Sequence, residues 1–369
     1  LNVPVDKIFL MLSHAAGFAD LSSLAPVSSA GIAEHSEYLA ATLAAAGERS
    51  FRSGLSQQYS SRPYRGRSLR GRLDFPRQIR NDQRGGLELC CIADELGFGS
   101  PINRLLKTAA LKLSGSPAVK ADSAARLQHL AGMLPCEPFA SVPPRVWESI
   151  RRSRVSEVHI AAAFIGWLAV AEQGCNTGDD GLVFGWPTSA QQLGLLFQEF
   201  VRRRLETSSQ RGVRVGADTY ALHLAPGVTS AGVLLPRLRT DIVLVSTSDV
   251  IVVETKLMLP LVSSGWSEQD AGRLRAEHLA QLLAYMEHAA SRYVGRRIRG
   301  VLLYGACCPR LVARFPLRSY EVCVSSLDLR GTSAEVCARI GEVAELMRSD
   351  EALGVGGGEA VSVAATEYL

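Results

Sequence analysis

Two carboxylates and a lysine, set at the ends of two short apolar runs, are the residues of this chain best suited to chemistry. In residues 239–256, RTDIVLVSTSDVIVVETK, Asp241 stands before Ile242, Val243, Leu244 and Val245. Glu254 and Lys256 follow Val250, Ile251, Val252 and Val253. Polar residues 246–249 separate the runs, so the pattern predicts two strands and a tight turn. Folded that way, Asp241 and Glu254 lie side by side at one end of a buried hairpin. Glu254 and Lys256 are two apart on a strand and share a face. Two carboxylates and a lysine at the edge of an apolar sheet can hold Mg²⁺, with Mn²⁺ as a substitute. They can also position a water molecule for attack on a phosphodiester.

Such residues need helices around them. Residues 268–293 predict a long helix with an apolar stripe of Leu279, Leu282, Leu283, Met286 and Ala290. Gln281 and Tyr285, four apart, form a polar ridge beside that stripe, with His278 and His288 close by. Ahead of the hairpin, residues 187–206 predict another helix, capped by Ser189 with Gln192 three residues later. Its stripe is Leu193, Leu196, Phe197, Phe200, Val201 and Leu205. Glu199 lies near its middle. Arg202, Arg203 and Arg204 follow, where positive charge suits the helix dipole and could face a DNA backbone. A strand is expected at residues 300–306. An ordinary hairpin with charged ends is the bland alternative.

The hairpin resembles the catalytic core of PD-(D/E)xK nucleases, and the chain as a whole resembles the McrC family, the nuclease subunits of McrBC-type modification-dependent restriction systems. Residues 3–17, VPVDKIFLMLSHAAG, are similar to that family's opening IP-x-x-x-IYYMLxYAW. Residues 70–82, RGRLDFPRQIRND, and 94–113, DELGFGSPINRLLKTAALKL, resemble two further segments. LGLLFQEFV, RTDIVL…VIVVETK and HLAQLLAYM then follow in the family's order. The chain departs from the pattern at four points. The helix glutamate of LFE falls on Gln198, with Glu199 one place later, a rotation of about 100° on a helix. Thr240 replaces the usual proline before Asp241. Glu254-Thr255-Lys256 replaces DxK, and Ala280 replaces the tyrosine before the helix glutamine.

The resemblance implies an α/β chain in which an N-terminal mixed domain precedes a restriction-endonuclease-like core, a central mixed sheet flanked by helices. It implies a Mg²⁺-dependent endonuclease acting on double-stranded DNA. Asp241 and Glu254 are the metal ligands, with the Thr255 carbonyl a further one. Asp241, Glu254, Lys256 and Gln281 are the catalytic set, and Glu199 and Tyr285 possible additions. The expected partner is a McrB-like AAA+ GTPase ring, through which the chain would oligomerise. The alternative is an adaptor that docks on and activates an NTPase without cutting.

Composition fits this reading. The chain has 369 residues, with 47% hydrophobic and 21% charged, which is the balance of a globular protein with a substantial core. A net charge of +4 excludes a uniformly basic nucleic-acid binder, so DNA contact must come from local patches. One lies at residues 62–80: Arg62, Arg65, Arg67, Arg70, Arg72, Arg77 and Arg80 against a single acid, Asp74. Guanidinium groups suit bidentate phosphate contacts, so Arg65, Arg67, Arg70, Arg72, Arg202 and Arg203 are candidates for DNA or partner contact. A solvated β-arm is the plainer explanation of the first four.

The eight cysteines contain no C-x-x-C pair, and no histidine cluster accompanies them, so a zinc site is not expected. The absence of a P-loop motif means that no nucleotide is expected on this chain. The most apolar stretch, residues 158–171, is shorter than a bilayer span and reads as a buried core helix. A reducing cytoplasmic setting without a membrane is expected. The organisation expected is a partner-docking domain over residues 1–180, the endonuclease domain over 181–350 and a Gly-rich flexible tail over 351–369, with the boundary in the loop at 174–187.

Overall fold

The computed structural model describes residues 3–18, 21, 35–143, 145–171, 176–178, 181–183, 186–209, 212–221, 237–260, 273–308 and 311–346. The chain divides into two compact units, Asp20–Glu172 and a second composed of Leu1–Ala19 with Gln173–Leu369. Helix α1 (Val5–Ala15) therefore belongs with the carboxy-terminal unit, unlike the contiguous division at residue 180 expected from sequence. The expected tail at 351–369 lies outside the described residues, as do six of the fourteen in the expected boundary loop at 174–187.

The first unit runs α2 (His35–Arg52), β1 (Gln58–Gly66), β2 (Arg72–Leu73), α3 (Phe75–Asp82), β3 (Leu89–Gly97), α4 (Pro101–Ser114), α5 (Ala121–Met133), α6 (Val146–Arg151) and α7 (Glu157–Val170). β1 and β2 both pair antiparallel with β3, giving the order β1-β3-β2. Helices α2, α4, α5 and α7 pack on one another. Ser100 caps α4 by accepting from the Asn103 amide at 3.3 Å, and Pro101 follows at the first helical position. α7 is the buried helix expected from its apolar run. The arginine-rich stretch at residues 62–80 is not a simple β-arm. It spans β1, β2 and α3, because Asp74 caps a helix there by accepting from the Arg77 amide, with Pro76 in its first turn.

The second unit adds β4 (Asn176–Gly178), β5 (Gly181–Val183), α8 (Ala190–Ser208), β6 (Arg214–Gly216), β7 (Thr219–Ala221), β8 (Arg237–Arg239), β9 (Ile242–Val245), β10 (Asp249–Lys256), α9 (Ala276–Arg292), β11 (Arg297–Ala306), β12 (Val312–Leu317), β13 (Tyr320–Asp328) and α10 (Ser333–Leu346). Among the described residues its main sheet has the order β12-β13-β11-β10-β9-β6. β10, β11 and β13 are parallel, and β9 pairs antiparallel with β10. The fold is mixed α/β, with helices flanking a mixed sheet.

Strand alternation decides what each face meets. Val250 and Val252 of β10 point with Leu302 and Val322 toward Leu282, Tyr285, Met286 and Ala289 of α9. Ile251 and Val253 point the other way with Val301 and Leu303, toward Leu205 of α8 and Ile340 of α10. Two glycines let the helices approach. A Cβ on Gly300 would collide with Met286, and one on Gly305 would lie 2.7 Å from the Phe197 ring. The buried stripe of α9 is rotated from the expected one: Tyr285 is core, while Leu279, Leu283 and Ala290 are only partly buried. α1 packs against α8, where the His14 and Phe200 rings meet tilted at 57° with centroids 5.4 Å apart.

Candidate active site

The site forms where β9 begins and β10 ends. The β9–β10 register runs to Ile242 opposite Val253, so the next step brings Asp241 opposite Glu254. The Ser246 amide donates to the Asp249 carbonyl at 2.9 Å, and the Asp249 amide donates to Ser246 Oγ at 2.9 Å. These bonds close the turn that sets the register. Glu254 and Lys256 share the α9 face of the sheet, as alternation requires. There Lys256 Nζ donates to Glu254 Oε1 at 2.7 Å and to Gln281 Oε1 at 3.0 Å. The Gln281 amide in turn donates to Tyr285 Oη at 3.1 Å. The predicted residues Asp241, Glu254, Thr255, Lys256, Gln281 and Tyr285 thus converge.

Asp241 is held from the other side of the strand. Its Oδ2 accepts from the Thr255 amide and from Thr255 Oγ1, both at 2.8 Å. The Gln198 side-chain amide of α8 donates to the Asp241 carbonyl at 3.4 Å. Glu199 is not part of the cluster. One step round α8, it pairs with Arg202 and with Arg203 at 3.0 Å. Those two arginines also pair with Glu206, so their charge is already met within the helix.

The two carboxylates are electrostatically poised. Glu254 is 1% exposed, and its Oε2 has no hydrogen-bond partner. Burial pushes its pKa up to about 7, with help from the neighbouring Asp241 charge, while Lys256 pulls it down. Burial also raises the Asp241 carboxyl, against the Thr255 hydrogen bonds and Lys256. A desolvated pair of acids with an unsatisfied oxygen is a donor set that a hard divalent cation would complete. Among the described residues no group of three or more His, Cys, Asp or Glu side chains comes together, so the candidate set is these two acids with backbone and solvent oxygens.

Tyr304 and Asp218 were not singled out from sequence, and His278 was named only as a neighbour of the polar ridge. His278 and Tyr304 form a buried pair, His278 Nδ1 lying 2.9 Å from Tyr304 Oη. Burial and the Lys256 charge push the imidazole pKa down, so His278 favours its neutral form. Tyr304 lies beside Lys256 in the β10–β11 register. Asp218, 5% exposed, grips Thr240 next to Asp241. An acid flanked by short strand-like stretches, in residues 213–221, was the only local signal for it.

The arginine arm lies in the first unit. Arg65 pairs with Glu88 at 2.7 Å and donates to Asn81, and Arg70 lies 3.8 Å from Glu95 and over the Tyr64 ring. Arg67 and Arg72 are exposed. Among the described residues no helix is long and apolar enough to cross a membrane.

The family model described as McrBC 5-methylcytosine restriction system component matches residues 7–305. Among solved structures, the chain is similar to one in the refined half-complex from a tetradecameric assembly of Thermococcus gammatolerans McrB AAA+ hexamers with bound McrC. The TM-score is 0.56 at 14% identity, covering 92% of this chain and 76% of that chain. A second likeness, to the cryo-EM structure of the Thermococcus gammatolerans McrBC complex, has a TM-score of 0.37 at 17% identity, covering 56% of this chain and 58% of that chain. No curated protein matches.

Proposed function

Because the chain belongs to the family of McrBC 5-methylcytosine restriction system components, we propose that it is the nuclease subunit of such a system, cutting double-stranded DNA by Mg²⁺-dependent phosphodiester hydrolysis. The observation that carries this reading is the pairing of Asp241 and Glu254 beside Lys256, with one Glu254 oxygen buried and unpartnered. Asp241 and Glu254 would hold the cation, with the Thr255 carbonyl as a further ligand. When bound there, it would supply a Lewis acid for a phosphoryl oxygen and lower the pKa of a coordinated water.

The chain's own residues do the rest. Thr255 fixes the Asp241 carboxylate through two hydrogen bonds on one oxygen and leaves the other oxygen for a ligand. Lys256 orients the attacking water and stabilises negative charge growing on the phosphate. Gln281, held by Tyr285, keeps the Lys256 ammonium on this face of the sheet. The apolar face of the sheet behind the pair excludes bulk water and strengthens each of these interactions.

The partner implied is an AAA+ ring of the McrB kind, and the first unit, with its exposed Arg67 and Arg72, is the surface we assign to partner or DNA contact. One observation favours a second reading. Neutral Gln198, not an acid, faces the Asp241 backbone from α8, so a site short of a carboxylate could serve an adaptor that only activates its NTPase.

The test is cleavage of methylated and unmethylated plasmid in Mg²⁺ with the partner NTPase, comparing wild type with Asp241→Ala. Nucleotide-dependent cutting of methylated DNA that the variant loses is the expected result. An uncut plasmid with wild type, together with faster nucleotide hydrolysis by the partner, would hand the case to the adaptor.

A further inference from the structure

Asp241 sits at a break between two strand ladders. On one side Gly216 pairs with Val243, and on the other Thr219 pairs with Arg239. Between these pairs one strand supplies Ala217 and Asp218, while the other supplies Thr240, Asp241 and Ile242. The surplus residue makes a β-bulge, a device that bends a strand and re-aims a side chain. A bulge leaves backbone groups unpaired and needs something to hold it.

Here the holder is visible. Thr240 is 2% exposed and faces Asp218, 5% exposed. The Thr240 amide donates to the Asp218 carbonyl at 2.9 Å, and the Asp218 amide donates to Thr240 Oγ1 at 2.8 Å. Thr240 Oγ1 also lies 3.3 Å from the Asp218 carbonyl, to which its own hydroxyl donates. The network continues outward. Tyr293 Oη donates to Asp218 Oδ2 at 2.8 Å and accepts from Arg214 Nη2 at 2.7 Å, and Arg292 lies 3.9 Å from Asp218 Oδ1. The hydroxyl of Thr240 thus links the bulge to the end of α9, on the residue immediately before Asp241.

We propose that Thr240 and Asp218 form a positioning clamp that fixes the bulge at Asp241 and so holds its carboxylate in register with Thr255 and Glu254. The proposal rests on Asp241 being a cation ligand only for its effect on affinity; the effect on backbone order stands without it. The clamp touches neither substrate nor cation and acts through Asp241.

The experiment compares Thr240→Val, which keeps the shape and removes the hydroxyl, with Thr240→Ser, which keeps the hydroxyl. Two quantities are read on the purified full chain: hydrogen exchange of the Thr255 amide without metal, and Mn²⁺ affinity. With valine, the Thr255 amide exchanges about tenfold faster and Mn²⁺ binds about tenfold more weakly. With serine, both stay within about twofold of wild type. Tyr293→Phe, at the outer end of the network, moves both quantities the same way by less, and it replaces valine in the test if that chain does not fold. Wild-type exchange in folded Thr240→Val, or in Tyr293→Phe if it stands in, overturns the clamp. Asp241→Asn separates the two readings. If it binds Mn²⁺ like wild type, the cation assignment fails and the exchange data alone decide the clamp.

Discussion

Lys256 Nζ lies 2.7 Å from Glu254 Oε1, while the second oxygen of that buried carboxylate has no partner. One lysine satisfies half of the glutamate and leaves the other half buried without a partner. That asymmetry is what a cation-binding carboxylate needs, and it makes the site sensitive to protons as well as metal.

Cation affinity should therefore depend on pH. The Glu254 pKa, raised to about 7, means that a proton must leave before the carboxylate can bind a cation. Mn²⁺ titrated calorimetrically at pH 6, 7 and 8 should bind about tenfold more tightly at pH 8 than at pH 6. The gain should fade above pH 7. A flat profile would mean that Glu254 is not a ligand.

Stability of the metal-free chain should run the opposite way. A carboxyl whose folded pKa lies above its unfolded value adds full stability below the unfolded value of 4.5. That contribution is lost as pH rises through about 7. Glu254→Gln removes the titration, so it should gain on wild type between pH 5 and pH 8, by at most about 3 kcal/mol. Urea unfolding of both chains in chelator at the two pH values measures this. Mg²⁺ should narrow the difference by stabilising wild type alone.

Replacing Lys256 should separate binding from chemistry. Lys256→Ala removes a positive charge next to the carboxylates, so Mn²⁺ affinity should hold or rise. Cleavage with the partner NTPase should fall by about 10²–10³-fold. Retained cleavage at wild-type rates would remove Lys256 from the mechanism.

The approach of α8 to the sheet should be sensitive to one methyl group. Gly305→Ala sets a Cβ 2.7 Å from the ring of Phe197, a fully buried side chain of α8, so the ring or its helix must shift. The expected cost is about 2 kcal/mol in thermal or urea unfolding. Because Gln198 follows Phe197, Mn²⁺ affinity should weaken as well.

Much of the site was legible because it depends on short-range periodicity. Residues two apart on a strand must share a face, which joined Glu254 to Lys256. Residues four apart on a helix must be neighbours, which joined Gln281 to Tyr285. The polar turn at 246–249 set the hairpin register that brings Asp241 opposite Glu254. Helices α7 and α8 were likewise readable, the first from its apolar run and the second from its cap and stripe. The capping box of α8 needed one correction: Ser189 caps the Gln192 amide as expected, but the Gln192 side chain reaches back to the Thr188 amide.

Other features were decided only by packing. Sequence could not choose between Gln198 and Glu199, because which one turns toward Asp241 depends on how α8 rolls against the sheet. Nor could it reveal the bulge, since that is a mismatch between residues 214–221 and 237–245 and appears only once both ladders form. The Tyr285 ring joined the core while its hydroxyl kept the contact with Gln281, because α9 packs down onto Gly300. The first helix left the domain next to it in sequence and joined α8, because an amphipathic stripe specifies that a face is buried but not what covers it. Local spacing determined which residues could act together; long-range contacts determined which of them meet.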